Sequence, residues 1–192
     1  MKIRNVVVTL SYIAVGAILY FSGILSQASS LAQRAVLLSG FADAPAVTDE
    51  NKEPFDYNFV VKDLQGNKTD FGHFKGKVVF LNLWATWCPP CRSEMPGIQK
   101  LYDRVDKDKI EFVMLSLDKD GQVERVKNYV NKSAYTFPIY MPSGYLSAQL
   151  QVPSIPTTFV ISADGHIVFK EVGMKNYDTE KFKKFLNQFI VK

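Results

Sequence analysis

The stretch KVVFLNLWATWCPPC, residues 77–91, decides the fold. Lys77 to Ala85 are nearly continuous in apolar side chains, which is typical of a strand that is covered on both faces of a sheet. The next residues, PPCRSEMPGIQKLYDRV, carry apolar side chains at helical spacing and indicate a helix that begins beside Cys88. A second apolar run follows from Ile110 to Leu117. This order predicts a βαβ unit with parallel strands and a right-handed crossover.

The segments on either side of this unit add antiparallel elements. FDYNFVV (55–61) indicates an opening strand, and TTFVIS (157–162) and HIVFKE (166–171) flank a tight turn, which predicts a hairpin. A final amphipathic helix follows, for which Asp178 is the predicted N-cap. Together these elements predict an α/β domain with a central mixed β-sheet and helices on both faces.

Composition and cysteine number exclude several classes of protein. The chain has 192 residues, 47% hydrophobic and 22% charged, which is enough for one hydrophobic core. Its 23 Lys and Arg are interleaved with 19 Asp and Glu, so the net charge of +4 forms no basic run and nucleic acid is not an expected partner. The two cysteines, Cys88 and Cys91, are too few for a disulfide-stapled scaffold or a four-thiolate zinc site.

The N-terminal segment predicts attachment to a membrane. Residues 6–25 carry no charge, and as a helix they would span the roughly 30 Å hydrocarbon layer. Lys2 and Arg4 precede them, so the positive-inside rule places residues 1–5 in the cytoplasm and the rest of the chain outside it.

Four segments are therefore expected: the cytoplasmic N-terminus (1–5), the transmembrane signal anchor (6–25), a juxtamembrane helix and linker (26–53) and the folded domain (54–192). A cleaved signal peptide remains the alternative, because Ser26-Gln27-Ala28 is a small-x-small site. The expected location is the cytoplasmic membrane, with the folded domain facing the periplasm or the cell exterior. If the chain is cleaved, the domain is released to the periplasm.

The cysteine pair carries the chemistry. Cys88 precedes the predicted helix and Pro89 takes its first position, so Cys88 faces the positive end of the helix dipole, which favours a thiolate. Cys91 lies one turn inside and is placed to resolve a mixed disulfide. A static disulfide and half of a metal site are the alternatives; the first would contribute little loop entropy, and the second has only His73 and His166 as further candidate ligands.

Residues 80–91 (FLNLWATWCPPC) and 154–159 (SIPTTF) together resemble the thioredoxin fold, and more closely its membrane-anchored, extracytoplasmic TlpA/ResA-like branch. The resemblance covers about residues 54–192. It implies that Pro156 is cis and packs against the cysteine pair, and that Ile155 presents backbone groups to an extended substrate peptide. It also implies a substrate-binding surface formed by Trp87, Pro89 and Pro90 beside Cys88.

One departure from thioredoxin concerns the buried aspartate six residues before the first cysteine. This chain has Asn82 there, which cannot accept a proton at neutral pH. Glu94, three residues after Cys91, matches the acidic residue that the resemblance places near the thiols, and we expect it to accept the proton of Cys91. Without the resemblance, a solvated helix charge or a first-turn partner of the helix dipole is the favoured interpretation of Glu94.

The resemblance implies a thiol-disulfide oxidoreductase that reduces exported proteins through Cys88 and Cys91, with no cofactor beyond this redox-active disulfide and no metal. Apocytochrome c is one candidate substrate, which would make cytochrome c biogenesis the process served, and a membrane electron donor would restore the dithiol. One alternative is a thiol peroxidase, which needs a threonine where this chain has Ala85. Another is a copper- or haem-delivery chaperone with the thiols as ligands.

Overall fold

The computed structural model describes residues 53–190, together with residues 8, 12–13, 32–33, 35–37, 39–40 and 42–45. The predicted transmembrane segment 6–25 lies almost wholly outside these residues, and so do many positions of segment 26–53. Within the described parts of the chain, no helix has the length and apolar character needed to cross a bilayer.

Residues 53–190 form one mixed sheet of seven strands in the order β2-β1-β5-β4-β3-β6-β7. The strands are β1 (Val60–Asp63), β2 (Lys68–Asp70), β3 (Val78–Trp84), β4 (Ile110–Ser116), β5 (Ile139–Pro142), β6 (Thr157–Ile161) and β7 (Ile167–Val172). β3 pairs in parallel with β4, and β4 with β5, whereas the other pairings are antiparallel. All seven residues of β3 are buried, as its continuous apolar sequence predicts. The mixed sheet and the βαβ unit are confirmed.

Three α-helices cover one face of this sheet: α1 (Pro89–Arg104), α2 (Val123–Lys132) and α3 (Glu180–Asn187). Their buried side chains pack with Phe80 and Trp84 of β3. Leu81 and Leu83 point to the other face, which is covered by aromatic residues from Phe55 to Phe74 rather than by an α-helix of residues 53–190. Among residues 53–190 the α-helices thus cover one face only, and the helices expected on the other face are two short 3-10 helices, Phe71–Phe74 and Ala148–Leu150. The strand order explains this, because β3, β4 and β5 lie side by side and two right-handed crossovers in one direction place α1 and α2 on the same face.

The N-cap of α3 is Thr179 and not Asp178. The hydroxyl of Thr179 accepts the backbone N–H of Phe182 at 3.0 Å. Asp178 instead forms an ion pair with Arg104 at the end of α1. Both residue types cap helices well, so the tertiary ion pair decides which of them does so here.

Residues 42–45, upstream of the expected start of the domain at residue 54, contact the folded body at Asn176. The backbone N–H of Ala44 donates to the carbonyl of Asn176 (2.9 Å), and the N–H of Asn176 donates to the carbonyl of Ala42 (2.6 Å). The side-chain amide of Asn176 also donates to Oδ1 of Asp43 at 2.7 Å. These bonds fix residues 42–44 along the segment that leads into α3.

Candidate active site

The two cysteines lie where the central strand passes into helix α1. β3 ends at Trp84, and after three intervening residues Cys88 forms the N-cap of α1 with extended backbone angles (φ −93°, ψ 104°). Pro89 and Pro90 occupy the first turn, where a missing N–H removes no intrahelical hydrogen bond. The backbone N–H of Cys91 donates to Sγ of Cys88 over 3.3 Å. The start of α1 therefore directs its positive end at the sulfur of Cys88.

Cys88 and Cys91 form a disulfide, with their Cα atoms 5.3 Å apart. Cys88 is 4% exposed, whereas Cys91 is completely buried. Both cysteines are therefore buried in this disulfide form, and Cys88, at the start of α1, is the one of the two that keeps any exposed surface.

The loop before β6 lies against the sulfur of Cys88. Sγ of Cys88 lies 3.7 Å from the carbonyl oxygen of Ile155, and the Ile155–Pro156 peptide bond is cis. The carbonyl of Pro156 accepts the backbone N–H of Gly173 at 2.8 Å, which holds the loop against the end of β7. Trp87, directly before Cys88, is 55% exposed. The fold thus gathers the predicted substrate-binding residues around one sulfur.

Glu94 lies one helical turn beyond Cys91 and is 1% exposed. Its Oε1 accepts the side-chain amide of Asn82 at 2.8 Å, and its Oε2 accepts the backbone N–H of Lys175 at 3.2 Å. Burial raises the pKa of Glu94 to about 8, against the opposing effect of these two hydrogen bonds. Glu94 is therefore not the solvated helix charge that the sequence left open.

Asn82 ties this carboxyl group to the neighbouring strand. Its amide also donates to Oγ1 of Thr158 on β6 at 2.9 Å, while its own Oδ1 has no partner among the described residues. Tyr177 is buried nearby, and burial followed by the charge of Glu94 raises its pKa well above the ordinary value. Glu94 is thus the member of this group whose proton exchanges nearest to neutral pH.

A cavity of about 200 Å³ lies beside Glu94 on the side of α1 that faces the segment before α3. Ser93 and Gly97 of α1 line it, and Lys175 and Leu37 lie on its other side. Ser93 also donates a hydrogen bond to Oε1 of Gln33 at 2.8 Å. Upstream residues and the active-site helix therefore share this space.

Several polar residues around the site are not predicted by the sequence patterns, namely Thr86, Asp118, Thr158 and Lys175. The proximity of Thr86 and Asp118 could have been predicted. Each follows one of two adjacent parallel strands, and the carboxyl ends of such strands meet at one edge of the sheet. Lys175 contributes only its backbone N–H, which no residue pattern reveals. No group of three or more metal-binding side chains occurs among the described residues.

A cysteine pair at the start of a helix that follows the central strand, with an Ile-Pro loop against the sulfur of the first cysteine, defines the thioredoxin-fold class of thiol-disulfide oxidoreductases. Residues 42–186 match the family model described as Redoxin, and the chain belongs to the Redoxin family.

Similar proteins of known name show which type of thiol-disulfide oxidoreductase the chain resembles. The chain is 38% identical over 134 residues to "Thiol-disulfide oxidoreductase ResA" of Bacillus thuringiensis (strain Al Hakam). The matched residues make up 69% of this chain and 75% of that protein. The crystal structure of StoA from Bacillus subtilis matches with a TM-score of 0.54 and 30% identity, over 66% of this chain and 94% of that one. A thiol:disulfide interchange protein from Chlorobium tepidum TLS gives a TM-score of 0.59 at 27% identity, over 74% and 99% of the two chains. The chain is a protein-disulfide oxidoreductase of the TlpA/ResA-like type.

Proposed function

We propose that this chain reduces disulfides of exported proteins on the outer side of the cytoplasmic membrane, with Cys88 as nucleophile and Cys91 as resolving thiol. The observation that carries the proposal is the asymmetry of the pair. Cys88 lies at the helix N-cap, where its sulfur accepts the N–H of Cys91 and keeps a small exposed surface, and Cys91 is completely buried inside the first turn.

The first step is attack on the substrate by the reduced form of Cys88. Its thiolate attacks one sulfur of the substrate disulfide, the substrate's other sulfur leaves as a thiolate, and Cys88 is left in a mixed disulfide. The N–H of Cys91 and the start of α1 stabilise the attacking thiolate before the reaction. The carbonyl of Ile155, close to Sγ of Cys88, is placed to pair with the backbone of an extended substrate peptide.

The second step releases the substrate. Cys91 loses its proton and attacks the sulfur of Cys88, the substrate's remaining sulfur leaves as a thiolate, and the Cys88–Cys91 disulfide forms. Two electrons have then passed to the substrate. Glu94 accepts the proton of Cys91, for which its pKa of about 8 is well matched to a thiol. Glu94 would be about one-tenth ionised at pH 7, so this step should accelerate as the pH rises toward 8.

The substrate surface is formed by Trp87, Pro89 and Pro90 on one side of Cys88 and by Ile155 and Pro156 on the other. Trp87 offers a large exposed apolar surface next to the sulfur, as a site for a protein chain requires. An exposed backbone and an apolar surface accept many sequences, so the site favours unfolded or extended proteins that carry a disulfide over one small molecule.

Location and partners follow from the N-terminal sequence and the resemblance. The uncharged stretch 6–25 supports a single membrane anchor with residues 54–192 outside the cytoplasm. An oxidising compartment supports a reductive role, since thiols there must be kept reduced against the surroundings. Apocytochrome c is then a candidate substrate, and a membrane dithiol donor must return two electrons to the pair after each turnover.

The test is to trap substrates in cells with a Cys91→Ala variant, which performs the first step and cannot perform the second. We expect disulfide-linked complexes that a reductant dissolves and that contain exported proteins. Cys88→Ala is the matched control and should trap none. In cells that lack the protein, the trapped partners should accumulate in their disulfide form. Equal trapping by both variants, or partners that accumulate reduced, would contradict the proposal.

A further inference from the structure

A second buried acid, Asp118, lies at the same edge of the sheet as Cys88 and takes no part in the chemistry described above. Trp84 and Ser116 are register partners on the parallel strands β3 and β4, so the chain leaves both strands at one point. Asp118 comes two residues after Ser116, and Cys88 comes four residues after Trp84. Asp118 is 4% exposed.

Both carboxylate oxygens of Asp118 hold the loop that leads to Cys88. The backbone N–H of Thr86 donates to Oδ2 at 2.8 Å, and the Thr86 hydroxyl donates to Oδ1 at 2.6 Å. The Ser116 hydroxyl donates to Oδ2 at 2.8 Å. Three donors converge on one group, which is the arrangement that an ionised carboxylate accepts and that an amide cannot reproduce.

Asp118 has no ion-pair partner within residues 53–190, although burying a carboxyl group is costly. Between β3 and α1, the loop's own backbone contributes one bond, from the N–H of Cys88 to the carbonyl of Ala85 at 3.2 Å. Asp118 adds two bonds at Thr86, in the middle of the loop. Asp118 is costly to bury, and it holds both the N–H and the hydroxyl of Thr86. This combination indicates that the position of the loop must be precise.

We propose that Asp118 is a positioning residue for the nucleophile: through Thr86 it fixes the loop so that the sulfur of Cys88 sits at the N-cap of α1. The inference rests on the proposed role of Cys88. Thr86 is two residues from Cys88, so a shift of Thr86 tilts the N-cap and moves the sulfur away from the N–H of Cys91. Preorganised stabilisation of the thiolate is lost when that alignment is lost.

Three variants separate positioning from charge. Thr86→Val removes the hydroxyl donor and keeps every charge, while Thr86→Ser keeps both donors. Asp118→Asn removes the charge and leaves the Thr86 donors incompletely paired. Asp120→Asn is the control, because that carboxylate lies two residues further on and is 77% exposed.

The readouts are the apparent pKa of Cys88 from a pH series of alkylation rates on the reduced full-length chain, and kcat and KM with a peptide disulfide. Glu94 and the start of α1 are unchanged in all of these variants, whereas Asp118→Asn removes the Asp118 carboxylate. In Thr86→Val and Asp118→Asn we expect the pKa of Cys88 to rise by about 0.5 to 1, and alkylation at pH 6 to slow about three- to tenfold. kcat should fall with KM unchanged, and Thr86→Ser and Asp120→Asn should behave as the wild type.

Two results would overturn the inference. A lower pKa of Cys88 in Asp118→Asn, with no change in Thr86→Val, would show that Asp118 acts only as a nearby negative charge. Unchanged pKa and kcat in both variants, with a lower midpoint of thermal unfolding, would show that it serves only the fold. A wild-type chain in which Cys91 alkylates faster than Cys88 would instead contradict the proposed function itself.

Discussion

Replacing Glu94 by Gln should remove a specific pH dependence from the stability of the oxidised protein. Folding raises the pKa of Glu94 from 4.5 to about 8 because the carboxyl group is buried. Between these two pH values the unfolded chain has released the proton of Glu94 and the folded chain still holds it. The free energy of unfolding therefore falls as the pH rises, by about 1.4 kcal/mol per pH unit and by about 5 kcal/mol over the whole range.

Glu94→Gln cannot titrate, so its free energy of unfolding lacks this slope. The variant carries a constant penalty, since one amide N–H would face the N–H of Lys175 where Oε2 now accepts it, but that penalty does not change with pH. Between pH 5 and pH 7.5 the wild type should lose about 3 kcal/mol relative to the variant. Below pH 4.5 the difference between the two proteins should be constant.

Urea titrations of the oxidised full-length chain at half-unit pH intervals measure this difference, with the Cys88–Cys91 disulfide intact in both proteins. Glu124→Gln is the control, because that carboxylate is exposed on α2 and its replacement should leave the wild-type slope in place. Parallel curves for the wild type and Glu94→Gln between pH 5 and 7.5 would refute the argument, since they would mean that Glu94 releases its proton equally easily in both states.

Four further outcomes are expected. In the reduced chain, Cys88 should alkylate faster than Cys91 and with an apparent pKa below 8.5, as peptide mass analysis of a pH series will measure; equal rates would remove the nucleophile assignment. Glu94→Gln should slow release of a mixed disulfide about ten- to hundredfold in rapid-mixing assays, as part of a general-base contribution, while an unchanged rate would leave water as the acceptor. A phosphatase fused after Lys192 should be active, and activity of a cytoplasmic reporter alone at that position would reverse the topology. Thr179→Ala should lower the free energy of unfolding by about 1 kcal/mol through loss of the α3 cap, as urea titration will measure.

The local sequence was sufficient for the centre of the fold. The apolar run at 77–85 became β3 within one residue at each end, and the CPPC segment opened α1 as predicted. Both features follow from short runs of adjacent residues. A continuous apolar run predicts a strand buried on both faces, and proline has a fixed backbone angle that suits the first turn of a helix. The opening strand was placed less well, since 55–61 was expected and β1 begins at Val60, because the aromatic residues before it cover a sheet face instead of pairing.

What the sequence could not predict depends on distant partners. The environment of Glu94 is set by an amide 12 positions before it and a backbone N–H 81 positions after it. The helix pattern alone cannot show that both converge on one carboxyl group and exclude water. The layering of the helices likewise depends on the order of strands across the sheet, which no single segment encodes.

The bonds between residues 42–44 and Asn176 set where the functional unit begins. Asn176 follows Lys175, whose N–H holds Oε2 of Glu94, so the upstream chain is joined to the active-site acid through two consecutive residues. A protein shortened to start at residue 54 would retain every strand and α-helix of the sheet domain. It would lose the hydrogen bonds that join Asn176 to residues 42–44. We therefore expect that a chain must start at or before Ala42 to keep the pKa of Glu94 found in the intact protein, and that cleavage between residues 45 and 54 changes that pKa although no residue of the cysteine site is removed.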